Sequence, residues 1–593
     1  MIRPLSVLGL LLAGSVLVAA DPPPPVGAKV AEFTAADAAT GKPWAFAENT
    51  RTAKASVVLF LGTGCPVSTA YLPKLALMHE KYAKKGVAFV AVFSHEVDDG
   101  ATVAKYAKEQ GIAFPVLKDD GTAVADKFRV ERVPAVVLVD GGKVVRYAGR
   151  IDDQYAPGIH KPQAATNELA LALDAVLAGK EVATPFAAAA GCLLTRDKLR
   201  MPGKGPIVTY HKHVAAILQA NCQSCHRAGE AGPFVLSNFK QAKGWSAMIR
   251  EVVADGVMPP WHADAPRGHF TNDRRLSDAD KKTLLAWVDQ GCPEGDAKDA
   301  PPPAKFLDGW RLPRKPDVVI AMKDRIEVPA YDLFGFGVPY QYVQAETAFA
   351  EDVWVTAVDV RPEFRAAVHH VIVYIMPPGK KLDEVALDVL NDGILGSYVP
   401  GDVPKVYPAG IARKVPKGSR LLFEMHYTPT GKAGKDRTVA GLLLTKEKPK
   451  HEARGAAVLD MDFAERKYSI PAGDDKYTVT AAKTFDAPVM LLGMSPHMHL
   501  RGKAFKYELV SADGKTRETL LNVPKYDFNW QAMYNLKEPR AVAAGDKIVC
   551  TAVYDNSKKN PFNPDPTKAV YWGDQTWEEM MIGFLEYRAK TKE

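Results

Sequence analysis

Between residues 27 and 190 the chain alternates two hydrophobic patterns. Continuous apolar runs, "SVVLFL" (56–61), "VAFVAVF" (87–93) and "AVVLVD" (135–140), predict buried strands. Helical patterns separate or follow them, such as "LPKLALMHEKYAKK" (72–85) and "ATNELALALDAVLAGK" (165–180). This alternation predicts an α/β domain. Residues 206–297 look helical throughout. In their last helix Ser277 and Asp280 form a capping box, Leu284, Leu285 and Val288 make an apolar face, and Gly291 marks the stop. From residue 315 onward the pattern becomes short alternating segments with turn residues between them, including "DVWVTAVDV" (352–360), "VIVYIMP" (371–377) and "RLLFEMHY" (420–427). That stretch is long enough for two all-β sandwiches in tandem.

Proline-rich or proline-and-glycine-rich breaks at "DPPPPVG" (21–27), "MPGKGP" (201–206) and "DAPPPAK" (299–305) punctuate these blocks. The expected division is an α/β domain at 27–190, a helical domain at 206–297, a proline-rich linker at 298–314, and β-sandwiches at 315–447 and 448–593. A chain of 593 residues has room for these.

Composition changes this picture little. With 47% hydrophobic and 24% charged residues the chain reads as globular, and its net charge of +7 is spread without a basic block. Nucleic acid is therefore not expected as a partner. The first residues, "MIRPLSVLGLLLAGSVLVAAD", combine Arg3, an apolar run over 5–18, and small residues at Val18 and Ala20, the pattern of an export signal over 1–20. The mature protein is expected in the periplasm or outside the cell, with an uncleaved membrane anchor as the alternative reading of the leader. No later run reaches the roughly 18 apolar residues of a membrane span.

Six cysteines in so long a chain do not make a disulfide scaffold. Two of them have a specific setting. "NCQSCHRAGE" holds Cys222, Cys225 and His226 in the CxxCH arrangement that attaches one covalent haem c, with a zinc or redox CxxC as the alternative. Two thiols one helical turn apart can add to both vinyl groups, and the next residue offers an axial imidazole. Met258, in "DGVMPPWH", is the preferred sixth ligand, with Met248, His262 and His269 as alternatives. The stretch resembles the small cytochrome c domains of exported bacterial proteins, and the resemblance implies electron transfer.

The β region carries histidines in or beside strand-like segments: His369 and His370 in "VHHVIVYI", His426 in "FEMHYTP", and His497 and His499 in "SPHMHL". Residues two apart on a strand share a face, so His497 and His499 present two imidazoles side by side. Consecutive residues face opposite ways, so His369 and His370 can share a metal only where the backbone bulges or ends. Met580 and Met581 follow Glu579 near the C-terminus. Three histidines, and two histidines with a thioether, suggest two different mononuclear sites, and the sulfur favours copper over zinc. Structural histidines in a non-enzymatic sandwich are the alternative.

In this order the residues resemble the copper type II, ascorbate-dependent monooxygenases, the family of the peptidylglycine α-hydroxylating and dopamine β-monooxygenases, over about residues 316–586. The resemblance implies that His369, His370 and His426 bind an electron-storing copper, and that His497, His499 and Met580 bind the copper that takes O2. Met580 is preferred to Met581 because it follows Glu579 directly. The disulfide framework of the animal enzymes is missing, since Cys550 is the one cysteine of this block. Tyr340, Gln341 and Arg501 are candidates by nearness in sequence.

In the first block, "LFLGTGCPVSTAYLP" sets Cys65 after an apolar strand and at the start of a helix, where the dipole and free amides favour a thiolate. Val133-Pro134 resembles the proline loop of thioredoxin-like folds, and the block resembles the redoxin family. A thioredoxin would have CxxC, but Ser68 takes the second position, so the local site is monothiol. A peroxiredoxin would have Thr at Gly62. Cys192 could serve as a distant resolving partner, and a buried, inert Cys65 is the alternative.

The expected function is a copper monooxygenase that uses O2 to hydroxylate a C–H bond of a small organic or peptide substrate, with electrons reaching it through the fused haem. An extracytoplasmic electron donor is a further expected partner. A copper-binding, electron-carrier or thiol-redox protein without enzymatic activity is the alternative, and a peroxidase built on Cys65 with the haem as electron source is a third reading.

Overall fold

A computed structural model describes residues 26–30, 32–161, 163–196, 206–306, 309–330, 338–400 and 403–590. The expected export signal at 1–20 lies outside the described residues. Among the described residues no helix is long and apolar enough to cross a membrane.

The first block is a thioredoxin-like α/β domain. Its three apolar runs become the strands Ala55–Leu61, Val87–Phe93 and Ala135–Asp140, with the first wholly buried because layers cover both faces. Ala55–Leu61 pairs in parallel with Val87–Phe93 and antiparallel with Ala135–Asp140, at the centre of an eight-stranded sheet. The helix Pro66–Ala83 starts directly from the end of the central strand, with Cys65 as its N-cap and Pro66 at a position where no intrahelical N–H is needed. The domain reaches beyond residue 190, because Cys192–Leu193 pairs with Arg132–Val133 and Arg196 bonds Asp126 and Glu131.

The helical block contains Ala215–Asn221, Phe239–Gly244, Ser246–Ala254 and Asp278–Asp289. Ser277 caps the last of these by accepting from the Asp280 amide at 3.0 Å, and Gly291 follows it with φ +81°. This block shares one hydrophobic core with the redoxin, in which Trp245 and Ile249 join Val133 and Cys192. Its segment after Ser246–Ala254 runs over the C-terminal sandwich. There the Asp264 and Thr271 amides bond the carbonyls of Asn522 and Asn535 at 2.8 and 2.9 Å, and Phe270 is buried against Tyr534. Burying that one phenylalanine contributes about 1.5–3 kcal/mol.

The β region has two cores, one around Val371 and Phe423 and one around Met494 and Tyr507. One sheet serves both sandwiches. Ile411–Val415 pairs in parallel with His451–Val458, so strands on either side of residue 447 belong to a single nine-stranded sheet. Two four-stranded sheets complete the cores, one holding Val368–Met376 and Arg420–Tyr427, the other holding Gly502–Val510 and Lys547–Tyr554. The end of the expected linker is fastened down: Arg311 pairs with fully buried Asp359, and Leu312 is buried.

Candidate functional site

His370 and His426 lie directly opposite each other on paired strands, Val368–Met376 and Arg420–Tyr427. The pairing register shifts between Val368 and His370, which makes His369 the extra residue of a β-bulge. The bulge answers the difficulty of adjacent histidines, since it turns His369 toward the same side as His370. Nitrogens of His369, His370 and His426 all lie within 4.8 Å of one another. Tyr340 stacks on the His426 ring at 4.6 Å with its hydroxyl 3.3 Å from His370 Nε2, and Thr576 from the other sandwich bonds His426 Nε2 at 3.0 Å. Burial, then the neighbouring imidazoles, hold His370 well below the ordinary histidine range. Three imidazoles gathered at one point, two of them buried, are the donor set of a borderline metal ion, and they fit copper.

His497 and His499 have ring centroids 5.2 Å apart at the end of the strand Val489–His497, while Met498 between them points into the core. The Nδ1 of His497 donates to the Gln531 side-chain oxygen, and the Nδ1 of His499 donates to the Glu578 carbonyl at 3.2 Å. Each ring therefore keeps Nε2 for a metal. Burial pushes His497 down to about 4, so it is neutral over the working range. Glu579 is fully buried and accepts from the His499 and Arg501 amides at 2.8 and 2.6 Å, which fixes the loop carrying the pair. Arg501 is occupied by Asn556 and the Trp577 carbonyl, making it a positioning residue. Gln341 turns its amide to the Pro339 carbonyl.

The two methionines separate cleanly. Met580 packs with Ile582 and Phe584, and Ile582 is the register partner of His497, whereas Met581 is wholly buried in the opposite core with Met498. Alternation along the strand accounts for the split. The two histidine sets face each other, with His370 and His497 ring centroids 6.4 Å apart. Phe528 lies between them, stacked on His369 at 4.7 Å and edge-on to His499 at 5.9 Å. Phe528, Gln531 and Thr576 sit on loops with no motif of their own, so no local pattern could have revealed them.

The CxxCH motif forms a turn just after the helix Ala215–Asn221, with the His226 amide bonded to the Cys222 carbonyl at 2.9 Å. His226 Nδ1 donates to the Phe234 carbonyl at 3.1 Å, which leaves Nε2 for iron, and Gly232 lies so close to the ring that a Cβ there would be 2.8 Å from it. These residues fit a haem. Of the alternative sixth ligands, Met248 is engaged by the Leu193 amide at 3.0 Å, His262 is turned toward Asp527 and Lys525 of the C-terminal sandwich, and His269 packs on Phe270. Met258 follows the helix Ser246–Ala254, its amide bonded to Val252. The motif is tied to the first sandwich by Arg365, which bonds the Gly229 carbonyl and Glu230 at 2.8 and 2.6 Å and stands four residues before His369.

In the redoxin the local motif carries a single thiol, and Cys192 stands as the distant partner of Cys65. Ser68 does take the second position of the motif, but the strand Cys192–Leu193 brings the Cys192 sulfur to 2.8 Å from that of Cys65. Burial opposes ionisation of Cys65, yet the hydrogen bond from Cys192 and those with Ser68 outweigh it and lower the thiol to about 7, while Cys192 is pushed up. With Cys192→Ala the burial stays and the main bond is lost. The thiolate absorbance of Cys65 should then titrate well above 7; an unchanged midpoint would assign the shift to Ser68 and the helix alone.

Comparisons with known proteins follow the same division. Residues 26–148 match the AhpC/TSA family, residues 211–288 match the cbb3-type cytochrome c oxidase subunit III family, and residues 455–593 match the copper type II ascorbate-dependent monooxygenase C-terminal domain. Thiol-disulfide oxidoreductase ResA of Halalkalibacterium halodurans is 28% identical over 97 residues, 16% of this chain and 54% of that protein. ResA of Bacillus cereus is 32% identical over 87 residues, 14% of this chain and 49% of its own length. Dopamine beta-hydroxylase of Canis lupus familiaris is 28% identical over 211 residues, 34% of this chain and 32% of that protein. The chain thus spans about half the length of these ResA proteins and about a third of the hydroxylase. In one polypeptide it joins a redoxin segment, a cytochrome segment and a copper type II monooxygenase segment.

Proposed function

We propose that this chain is an extracytoplasmic copper-dependent monooxygenase that uses O2 to hydroxylate a C–H bond of a small organic or peptide substrate, with electrons supplied through its fused c-type haem. The observation that carries the reading is the convergence of five histidines from two sandwiches on one interface, with His370 and His497 rings 6.4 Å apart. Four of the five are less than a tenth exposed. So many buried imidazoles without a metal would be a large desolvation cost with no return.

Two coppers supply one-electron storage and O2 activation when bound, and one covalent haem supplies electrons singly. The chain's own residues do the rest. His369, His370 and His426 hold one copper, and His497, His499 and Met580 hold the other. Gln531 and the Glu578 carbonyl orient the second pair of rings through Nδ1. Tyr340 covers His426, and Phe528 fills the space between the sets. Cys222, Cys225 and His226 would attach the haem, Met258 would complete its ligation, and Arg365 holds that motif beside the strand of His369 and His370. The apolar leader at 1–20 directs export to the periplasm or medium.

The test is copper and covalent haem content of the exported protein, with O2 uptake measured against a product heavier by one oxygen atom. Two coppers, one haem and matched stoichiometry of O2 and product are expected. Haem without copper, even after reconstitution, would make the protein an electron-transfer or thiol-redox module. Arg365→Ala should keep both metals and slow electron passage from haem to copper by about tenfold, since the tether between the blocks is weakened. Stopped-flow spectra of haem oxidation read this directly.

A further inference from the structure

The monooxygenase reading leaves Cys65, Cys192, His95 and an aromatic stack without a task. We propose that Cys65 and Cys192 form a buried dithiol that closes to a disulfide and passes its electrons through Trp245 and Phe234 to the haem side of the cytochrome segment. The redoxin then acts as an internal two-electron store. This rests on the haem assignment and is independent of the copper chemistry.

The sulfurs lie 2.8 Å apart, and a disulfide needs about 2 Å, a gap that small side-chain rotations close. Cys65 is 0% and Cys192 5% exposed, so a folded protein disulfide from outside cannot reach either sulfur. The strand that carries Cys192 is held on both sides. It pairs with Arg132–Val133 of the redoxin, and its Leu193 amide donates to Met248 of the cytochrome segment while Arg132 pairs with Glu251.

The contact with the cytochrome segment is aromatic. Trp245 stacks on Phe234 at 4.1 Å and 15°, and Phe234 lies 4.7 Å from the His226 ring. Gly64, the residue before Cys65, makes this possible, because a Cβ there would be 2.6 Å from the Trp245 ring and 3.3 Å from Phe234. The Trp245 ring and the Phe234 Cβ thus rest on the backbone next to the thiol. His95, buried with both ring nitrogens lacking hydrogen-bond partners, lies tilted against Trp245 with ring centroids 4.7 Å apart. Ring contacts thus run from Trp245, beside the residue preceding Cys65, through Phe234 to His226.

In the oxidising direction two S–H bonds break, one S–S bond forms, two protons go to solvent and two electrons leave. Held by Cys222, Cys225 and His226, a ferric haem would serve as the one-electron oxidant, so the two electrons leave singly. With one haem per chain, a one-electron acceptor must reoxidise it between the two transfers.

The test uses the full chain with haem, freed of copper by chelation, its thiols reduced and air excluded. Ferricyanide is added at two equivalents per chain, and Cys65 and Cys192 are counted by maleimide mass-tagging after denaturation. The expected result is loss of both labels in the haem-loaded chain, with at least about tenfold slower loss in Cys222→Ser/Cys225→Ser, which carries no haem. Trp245→Leu should slow the loss similarly while haem content and fold remain. Should that variant not fold, Gly64→Ala, which pries the rings from the thiol loop, carries the same test. Equal rates with and without haem would overturn the proposal, as would labels that persist in excess ferricyanide. Failure of the hydroxylation assay would leave this outcome untouched, because it reads thiols only.

Discussion

Met580→Ala should abolish O2-dependent hydroxylation, lowering it by more than about a hundredfold, while the copper held by His369, His370 and His426 stays bound. Copper content should fall from two to one per chain. The reason is that, in the proposed assignment, the thioether serves one site alone. Met580 packs beside Ile582, the partner of His497, and the nitrogens of the three-histidine set lie within 4.8 Å of one another. The control is its neighbour. Met581→Ala removes a fully buried side chain from the core around Met498, so it should cost about 2–5 kcal/mol of stability and leave copper stoichiometry at two in the folded fraction. Elemental analysis with a thermal melt separates the two variants. Equal loss of both coppers in Met580→Ala would contradict the two-site reading.

Cys225→Ser should leave the haem held by one thioether or lost, and the yield of covalent haem in a pyridine haemochrome assay should fall by about tenfold or more. Electron delivery would fall with it. The loop itself should survive, because His226 remains bonded to Phe234, and Glu230 remains paired with Arg227 and Arg365. A variant that is folded, loaded with copper and slow to hydroxylate is thus expected. Covalent haem at normal yield would refute the assignment of Cys222, Cys225 and His226.

The chemistry-bearing residues were legible wherever local spacing carries the information. CxxCH, HxH and the apolar runs are such cases, since each depends on residues within a few positions of one another. The strands Ala55–Leu61, Val87–Phe93 and Val353–Arg361 appear where uninterrupted or alternating apolar residues predict them. The capped helix Asp278–Asp289 does too. Other features depend on pairing across long separations. The bulge at His369 exists because of the register between two strands about fifty residues apart, and no pattern inside "VHHVIVYI" specifies it. The proximity of Cys65 and Cys192 spans 127 residues and turns a monothiol motif into a pair of thiols.

What the amino-acid order alone determined, then, is the set of segments and their local chemistry: an α/β block with a helix-capping thiol, a helical block with a haem motif, and β segments bearing five histidines. The tertiary structure decided how they meet. It joined the sandwiches through one sheet at Ile411–Val415 and His451–Val458, turned the two histidine sets toward each other around Phe528, and set Trp245 against the thiol loop. The physical reason is range. Periodicity, capping and motif spacing act over one or two turns of chain, while strand register and core packing depend on which distant surfaces bury each other.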